Sequence, residues 1–512
     1  MTIPRFHSGL AWALGASLAI LALPAFGAPA GPSAKNAKST ATQAPRKAAP
    51  PVSLDGALNA ALRTVQGSSA AVAVSIVEVE TRAKVFGFRD DAQMVIASNN
   101  KLITAAAALD RLGPDYEIET PFYMRGEIKD GVLEGDLAVV GAGDPNISGR
   151  FYEGDSFAVF KTWAAAARQA GIQRVSGNLI LATGYFDDVL VHPEWPRGQL
   201  DRWYQAPVSS LSYNDNCVLV KVQPRAGQSA SVLFEPPLPI FQLSGQVGMT
   251  ANSRHQRVMI GRRLDGDAAT QRTYLVGGQI YSKGGKVDEW ITVQDPVGYF
   301  ASGLRQAFAL VGIAIDGPNS PVPALPADPG WKKLAAHKSG LQRTLEVLNK
   351  RSQNFYAESI IKLLGAKFGG AGTWPAGVAV AKDFLAKVGI AEGTYTMVDG
   401  SGLSRSDRFT AAQLTQLLSH MFHHASASQF ARSLPYSGEP ELRWERRLAQ
   451  PPYKGNVLAK TGTLSNVSTL SGYAKGRSGK VYAFSILCNG TKGNARAIGA
   501  QDAVLRALID RG

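Results

Sequence analysis

The sequence predicts an α+β protein in which a unit built from both ends of the chain is interrupted by a mostly β insertion. Three observations predict it. A β-rich hairpin and a helix occupy residues 70–112, short β-like runs fill 115–334, and helices followed by strands return from 335 onward. At 512 residues the chain has room for two or three domains.

Order is expected from about Leu54, where Leu58 and Leu62 follow at helical spacing. Residues 70–80 are an apolar run with Val72, Val74, Ile76 and Val77. A turn at Thr81-Arg82 leads into 84–88, and the pair reads as a hairpin. Ser98 then opens a segment whose Leu102, Ile103, Ala105, Ala106 and Leu109 recur at helical spacing. Gly113 caps that helix and Pro114 forbids its continuation, so Ser98 is expected at or near a helix N-terminus. From 115 to 334, β-like runs at 133–141, 178–182, 217–222 and 273–281 alternate with Gly and Pro turns. Helical segments at 157–170 and 297–310 interrupt them. This insertion reads as one or two β subdomains, closed by the Pro-rich run 317–329. Helices are expected again at 341–349, 355–367, 376–388, 411–424 and 495–511, and strands at 458–463, 469–474 and 480–487. Strands at both ends of the unit point to one sheet assembled from both. The expected division is 53–114 with 335–512 as the catalytic unit and 115–334 as the insertion.

The N-terminus reads as a secretory signal over residues 1–30. Arg5 is followed by an uncharged apolar run from 10 to 23, Pro24, and small residues. The run is short of the roughly 20 residues of a bilayer span. An uncleaved anchor is the alternative. Residues 31–52, rich in Ala, Pro, Ser, Thr and Lys, read as a flexible linker.

The formal net charge is +14, of which +5 falls in the first fifty residues and +9 is spread over the rest. That dispersal argues against a nucleic-acid surface. A basic envelope protein suits anionic polymers or lipid head groups, and a retained basic leader would permit loose membrane association. Only Cys217 and Cys488 are present, in segments assigned to different domains, so two separate buried thiols are expected.

The chemistry begins at Ser98 and Lys101. Three residues apart on a helix, they share one face. Serine is a weak nucleophile until a partner takes its proton. A lysine serves if burial or nearby positive charge lowers its pKa, and the helix N-terminus adds partial positive charge where an oxyanion would form. Alone, the pair reads equally well as a helix start with a solvated lysine. A second element is Ser352-Gln353-Asn354, in a loop between two helical patterns. There Ser352 is placed to relay protons and Asn354 to bind a substrate amide; an ordinary helix start is the alternative. The third is Lys460-Thr461-Gly462-Thr463 on a strand. Lys460 with Thr461 or Thr463 suits a terminal carboxylate, and Gly462 lets a substrate backbone lie alongside. In order, S-x-x-K, S-x-N and K-T-G are the motif set of penicillin-binding proteins and class A β-lactamases.

On these residues the chain resembles the D-alanyl-D-alanine carboxypeptidase/endopeptidases of the class C low-molecular-mass penicillin-binding proteins. The resemblance extends from about residue 53 onward. It rests also on Ala97 to Leu102, Gly143-Asp144-Pro145, Ala206-Pro207-Val208-Ser209, Asn214-Asp215-Asn216 and Asp399-Gly400-Ser401-Gly402-Leu403-Ser404-Arg405, and on the long step from Ser98 to Ser352. Ile96 departs from it, where relatives often carry proline.

The resemblance implies a transpeptidase-like catalytic domain, an antiparallel sheet with helices on both faces. It implies that Ser98 attacks the penultimate D-alanine carbonyl of a peptidoglycan stem peptide while Lys101 takes its proton. Backbone N–H groups of Ser98 and Thr463 would form the oxyanion hole. Ser352 and Lys460 would protonate the leaving amine, and Lys460 and Thr461 would hold the carboxylate. β-Lactams would acylate Ser98. Asp187 or Asp188 would bind the amine of the cross-linking residue, a turn carboxylate being the plainer reading. The implied location is the periplasm, with no cofactor and no metal. A β-lactamase and a non-catalytic peptidoglycan-binding protein are the competing readings. No G-x-S-x-G or H-E-x-x-H motif occurs, and His420, His423 and His424 read as a helix end rather than a metal site.

Overall fold

Strand β1 (Ala71–Glu78) buries side chains on both faces, with Val72, Val74 and Ile76 to one side and Ala73 and Ser75 to the other. Its small and β-branched residues suit a strand covered twice. β2 (Lys84–Phe88) returns antiparallel to it. The rest of the sheet comes from the far end of the sequence: β3 (Val457–Leu464), β4 (Val467–Lys475) and β5 (Val481–Asn489). The order is β3-β4-β5-β1-β2, every neighbour antiparallel. The computed structural model describes residues 53–66, 71–227, 229–265 and 272–512. The expected signal and linker, 1–52, lie outside the described residues.

Helices around this sheet include α1 (Leu54–Gln66), α2 (Asn100–Leu112), α3 (Leu341–Lys350), α4 (Asn354–Phe368), α5 (Trp374–Val388), α6 (Ala411–Phe422) and α7 (Ala495–Arg511). One face of the sheet packs on α1 and α7, through Leu58, Leu62, Val504, Leu505 and Leu508. The opposite face meets α6, where Ser75 Oγ lies 2.8 Å from Thr415 Oγ1. Beyond α6 lies a larger core built on α2, α4 and α5. Helix α4 is enclosed on all sides, and every residue from Asn354 to Gly365 is buried. Its polar residues Asn354, Glu358, Ser359 and Lys362 are buried along with the apolar ones.

Between α2 and α3 the chain forms further sheets. Glu117–Lys129 pairs with Val132–Val140 and with Lys332–Gly340, all antiparallel, so the first and last long strands of this region lie side by side. The expected boundary at 334/335 falls inside the strand Lys332–Gly340. Helices Ala158–Gln169 and Pro296–Leu310 pack on this seven-stranded sheet through Phe160, Trp163, Phe300 and Phe308. A three-stranded and a four-stranded sheet follow within 217–292. At the base, buried Asp144 accepts from Ser339 Oγ at 2.7 Å and from the backbone N–H of Asn146 at 2.9 Å, and faces His337 Nδ1 at 2.8 Å. The Gly143-Asp144-Pro145 run thereby ties the insertion to its own last strand.

Cys217 and Cys488 are free and buried, as the sequence predicts. Burial pushes both thiols up, that of Cys488 to about 12. No helix among the described residues is long and apolar enough to cross a membrane.

Candidate active site

Ser98 sits in a single 3₁₀ turn, Ala97–Asn99, that runs directly into α2. Ala97 holds a left-handed backbone, φ 48°, which is strained for a residue with a side chain. Two glycines make the turn possible by approaching it closely. A Cβ on Gly402 would lie 1.9 Å from the Ala97 carbonyl oxygen. One on Gly462 would lie 2.8 Å from the Ile96 carbonyl oxygen and 3.0 Å from Ser98 N. Gly462 therefore admits the Ser98 turn against β3, a different reason for the K-T-G glycine from the substrate contact expected. Thr469 Oγ1 donates to Ile96 O at 2.8 Å and Asn99 Nδ2 to Lys460 O at 2.7 Å, so the turn is bolted to β3 and β4.

Lys101 is fully buried one turn on. Its Nζ lies 3.1 Å from Ser98 Oγ, 2.6 Å from Asn354 Oδ1 and 2.9 Å from Ser401 O. An ammonium has three protons and a neutral amine two. When neutral, Lys101 can keep its protons on Asn354 and Ser401 and present its lone pair to Ser98. Burial pushes Lys101 down to about 8, against the opposing pull of Glu358, Asp399 and Asp407.

The second lysine lies across the groove. Lys460 Nζ is 2.8 Å from Ser352 Oγ and 2.8 Å from Thr461 O. Burial, then the positive charges of Lys101 and Arg443, hold it well below the ordinary lysine range. Ser352 has a left-handed backbone, φ 55°, in the short link between α3 and α4. Asn354, the first residue of α4, spends both ends of its amide inside the protein, Oδ1 on Lys101 and Nδ2 on the carbonyl of Tyr204 at 2.8 Å. The structure thus brings Ser98, Lys101, Ser352, Asn354 and Lys460 together. Ser98, Ser352 and Thr461 remain partly exposed and Thr463 exposed, so the groove is open to solvent.

Asp187 stands elsewhere in the network. Its Oδ1 takes a 2.5 Å bond from Lys362, whose side chain is wholly buried against the ring of Trp374. Asp188 beside it is exposed. The histidines are engaged separately: His423 Nε2 lies 2.9 Å from Val79 O, and His420 packs on Phe384.

Sequence reasoning missed the layer behind Lys101. Buried Glu358 accepts from Trp374 Nε1 and from the N–H groups of Gly400 and Ser401, at 2.8–2.9 Å. Asp399 accepts from the N–H groups of Gly402 and Ser404 and from Trp195 Nε1. These carboxylates fix the 399–404 turn, which in return aims the Ser401 carbonyl at Lys101 and that of Gly400 at Thr104, 2.7 Å away. Burial, with Asp399 adding to it, raises Glu358 to about 7 and holds Asp407 well above the carboxylate range. The available signal was a glutamate in the apolar run of α4.

Comparison with known proteins places the chain in a family. The sequence matches the D-Ala-D-Ala carboxypeptidase 3 (S13) family over residues 54–508. It is 30% identical over 459 residues to a D-alanyl-D-alanine carboxypeptidase of Actinomadura sp., covering 85% of this chain and 81% of that protein. It is 26% identical over 403 residues to the D-alanyl-D-alanine carboxypeptidase DacB of Haemophilus influenzae, covering 78% and 81%. The fold is that of penicillin binding protein 4 (dacB) from Haemophilus influenzae, with a TM-score of 0.76 at 22% identity, over 88% of this chain and 99% of that one. A second structure of that protein, complexed with a β-lactam, gives a TM-score of 0.71 at the same identity and coverage. A match spanning the whole catalytic sheet and everything inserted in it makes this chain a member of the D-Ala-D-Ala carboxypeptidase family, a serine-type hydrolase with the penicillin-binding-protein fold.

Proposed function

We propose that the protein cleaves D-alanyl-D-alanine termini of peptidoglycan stem peptides, and D-Ala–diaminopimelate cross-links, through an acyl-enzyme on Ser98. The observation that carries this reading is the position of Lys101 Nζ, 3.1 Å from Ser98 Oγ with two other acceptors fixed on it. Lys101 accepts the serine proton as Oγ attacks the penultimate D-alanine carbonyl. The N–H groups of Ser98 and Thr463 receive the oxyanion. Ser352 passes a proton from the lysines to the leaving amine, Lys460 contributing through its 2.8 Å contact. Lys460 and Thr461 hold the substrate carboxylate, and Gly462 leaves room for the Ser98 turn beside them. Water then hydrolyses the acyl-enzyme. Asn354 acts chiefly by orienting Lys101, and of the two candidate carboxylates Asp188 is exposed whereas Asp187 is engaged by Lys362, so Asp188 is the one assigned to the amine of a cross-linking residue.

In this reading a β-lactam forms a long-lived ester on Ser98, and the catalytic domain is built from 53–114 and from Leu341 onward, around an insertion that ends with the strand Lys332–Gly340. Residues 1–30 direct the protein to the periplasm, where its basic leader favours loose contact with the membrane. Labelling with a fluorescent penicillin tests the nucleophile: wild type labels and Ser98→Ala does not. Equal labelling of the two sinks the assignment. Release of D-alanine from a model pentapeptide, with an adduct that persists in intact-mass spectra, separates the reading from a β-lactamase and from a non-catalytic binder.

A further inference from the structure

The S-x-N loop is gripped from the insertion at two points. Asn354 Nδ2 donates to the carbonyl of Tyr204 at 2.8 Å, and Gln353 Nε2 donates to Oδ2 of Asp215 at 3.2 Å. The same carboxylate is bonded by the guanidinium of Arg150 and, on Oδ1, by the hydroxyl of Tyr356 at 3.5 Å. Both grips belong to one segment, 204–216, which is tied to itself. Asn216 Nδ2 donates to Pro207 O at 2.9 Å and to Ser212 Oγ at 3.0 Å. Asp215 and Gln353 are each only 8% exposed, so water does not compete strongly for the bond.

The backbone on both sides is strained. Asn214, Asp215 and Asn216 have φ of 49°, 58° and 49° in succession, and Ser352 has 55°. Asn and Asp tolerate the left-handed region better than other side chains, yet three in a row persist only where the surroundings over-determine them. The conformation turns the Asp215 carboxylate toward Arg150 and Tyr356 and also toward Gln353, the middle residue of the S-x-N loop. Ser352, which must face Lys460, is strained itself and is followed by two residues held from the insertion.

We propose that Asp215 is a positioning residue for acyl transfer: through Gln353 it holds the 352–354 loop so that Ser352 meets Lys460 and Asn354 meets Lys101. This rests on the reading of Ser98 and its partners given above. The insertion then completes the geometry of the catalytic loop as well as covering it.

The test compares Asp215→Ala, Asp215→Asn, Gln353→Ala and the double alanine variant in the full-length protein, with Ser98→Ala as control. Stopped-flow acylation by a fluorescent penicillin gives both a rate constant and a labelled amplitude. A misplaced loop slows the rate constant by about 10- to 100-fold at full amplitude. A merely structural role lowers the amplitude and leaves the rate of the surviving molecules unchanged. The alanine variants are expected to slow alike, the double no further than the slower single. Asp215→Asn, which keeps an acceptor for Gln353, is expected to recover most of the rate. Rate constants within about twofold of wild type, or single effects that multiply in the double, overturn the proposal. If Asp215→Ala fails to fold, Gln353→Ala decides alone, because it leaves the Arg150–Asp215 pair intact. Labelling of Ser98→Ala would instead overturn the nucleophile, an outcome distinct from loss of the clamp.

Discussion

Replacing Gly462 with alanine is predicted to slow acylation by about tenfold, because the added methyl strikes the turn that carries the nucleophile. Its Cβ would lie 2.2 Å from Thr469 Oγ1, 2.8 Å from Ile96 O and 3.0 Å from Ser98 N. The threonine hydroxyl can rotate away, at the cost of its bond to Ile96 O, about 1 kcal/mol. The other two are backbone atoms and have no rotor. To reach an ordinary 3.4 Å contact the Ile96 carbonyl must retreat by 0.6 Å. A misplacement of about 1 Å costs roughly a hundredfold in rate, so about half of it costs roughly tenfold, or about 1.4 kcal/mol in the barrier. Overpacking adds about 1–3 kcal/mol of destabilisation, visible as a lowered Tm. Fluorescent-penicillin acylation and thermal melts of Gly462→Ala measure both. Thr469→Ala added to Gly462→Ala removes the hydroxyl contact but neither backbone contact, and should not restore the rate. Recovery in that double variant, or an unchanged rate and Tm in the single one, would refute the reasoning.

Two further outcomes follow from the buried charges. Lys101 accepts a proton only when neutral, so acylation should rise with pH through a midpoint near about 8 and level off above it; Glu358→Gln removes a charge that holds the lysine proton, and the midpoint should fall. A pH–rate profile that is flat from 6 to 9, or a midpoint that rises in the variant, contradicts the assignment. Asp187→Ala leaves the wholly buried Lys362 without its carboxylate. The expected loss is about 2–3 kcal/mol, less than for a fully buried pair because the Asp187 side chain is 28% exposed. Denaturant melts that agree with wild type would count against it.

The parts of the fold that were legible in the sequence are those in which one residue pattern dominates. The helix from Ser98 to Gly113 carries apolar residues at helical spacing and a terminal glycine. The strand holding Lys460 opens on the apolar run Val457-Leu458-Ala459. Glu117–Lys129 went unread although Ile118, Thr120, Phe122 and Met124 alternate inward, because Pro121 and Gly126 resemble loop residues. Several strands between 231 and 262 were missed for another reason: they are half-exposed on both faces and show no strong alternation. In the candidate site, Ser98, Ser352 and Lys460 belong to short motifs, so they were found. Asp399 and Asp215 stood out only as members of longer runs, without a role, and Glu358 and Tyr204 not at all, because their contacts run through backbone groups or to residues distant in sequence. The middle residue of S-x-N looked free to vary, yet Gln353 spends its amide on Asp215.

The pieces of this cleft are far apart in order of synthesis. Asn99 is bonded to Lys460 across 361 residues, and Val95 to Asn489 across 394. The central strand β1 finds its partner β5 only after the insertion and most helices exist. Such distant pairings close large loops and form slowly. A chain that stops short of β3 has a serine with no second lysine, no groove floor, and a turn with nothing to brace it. The candidate site is therefore complete only when the last strands of the sequence have joined the sheet begun by β1.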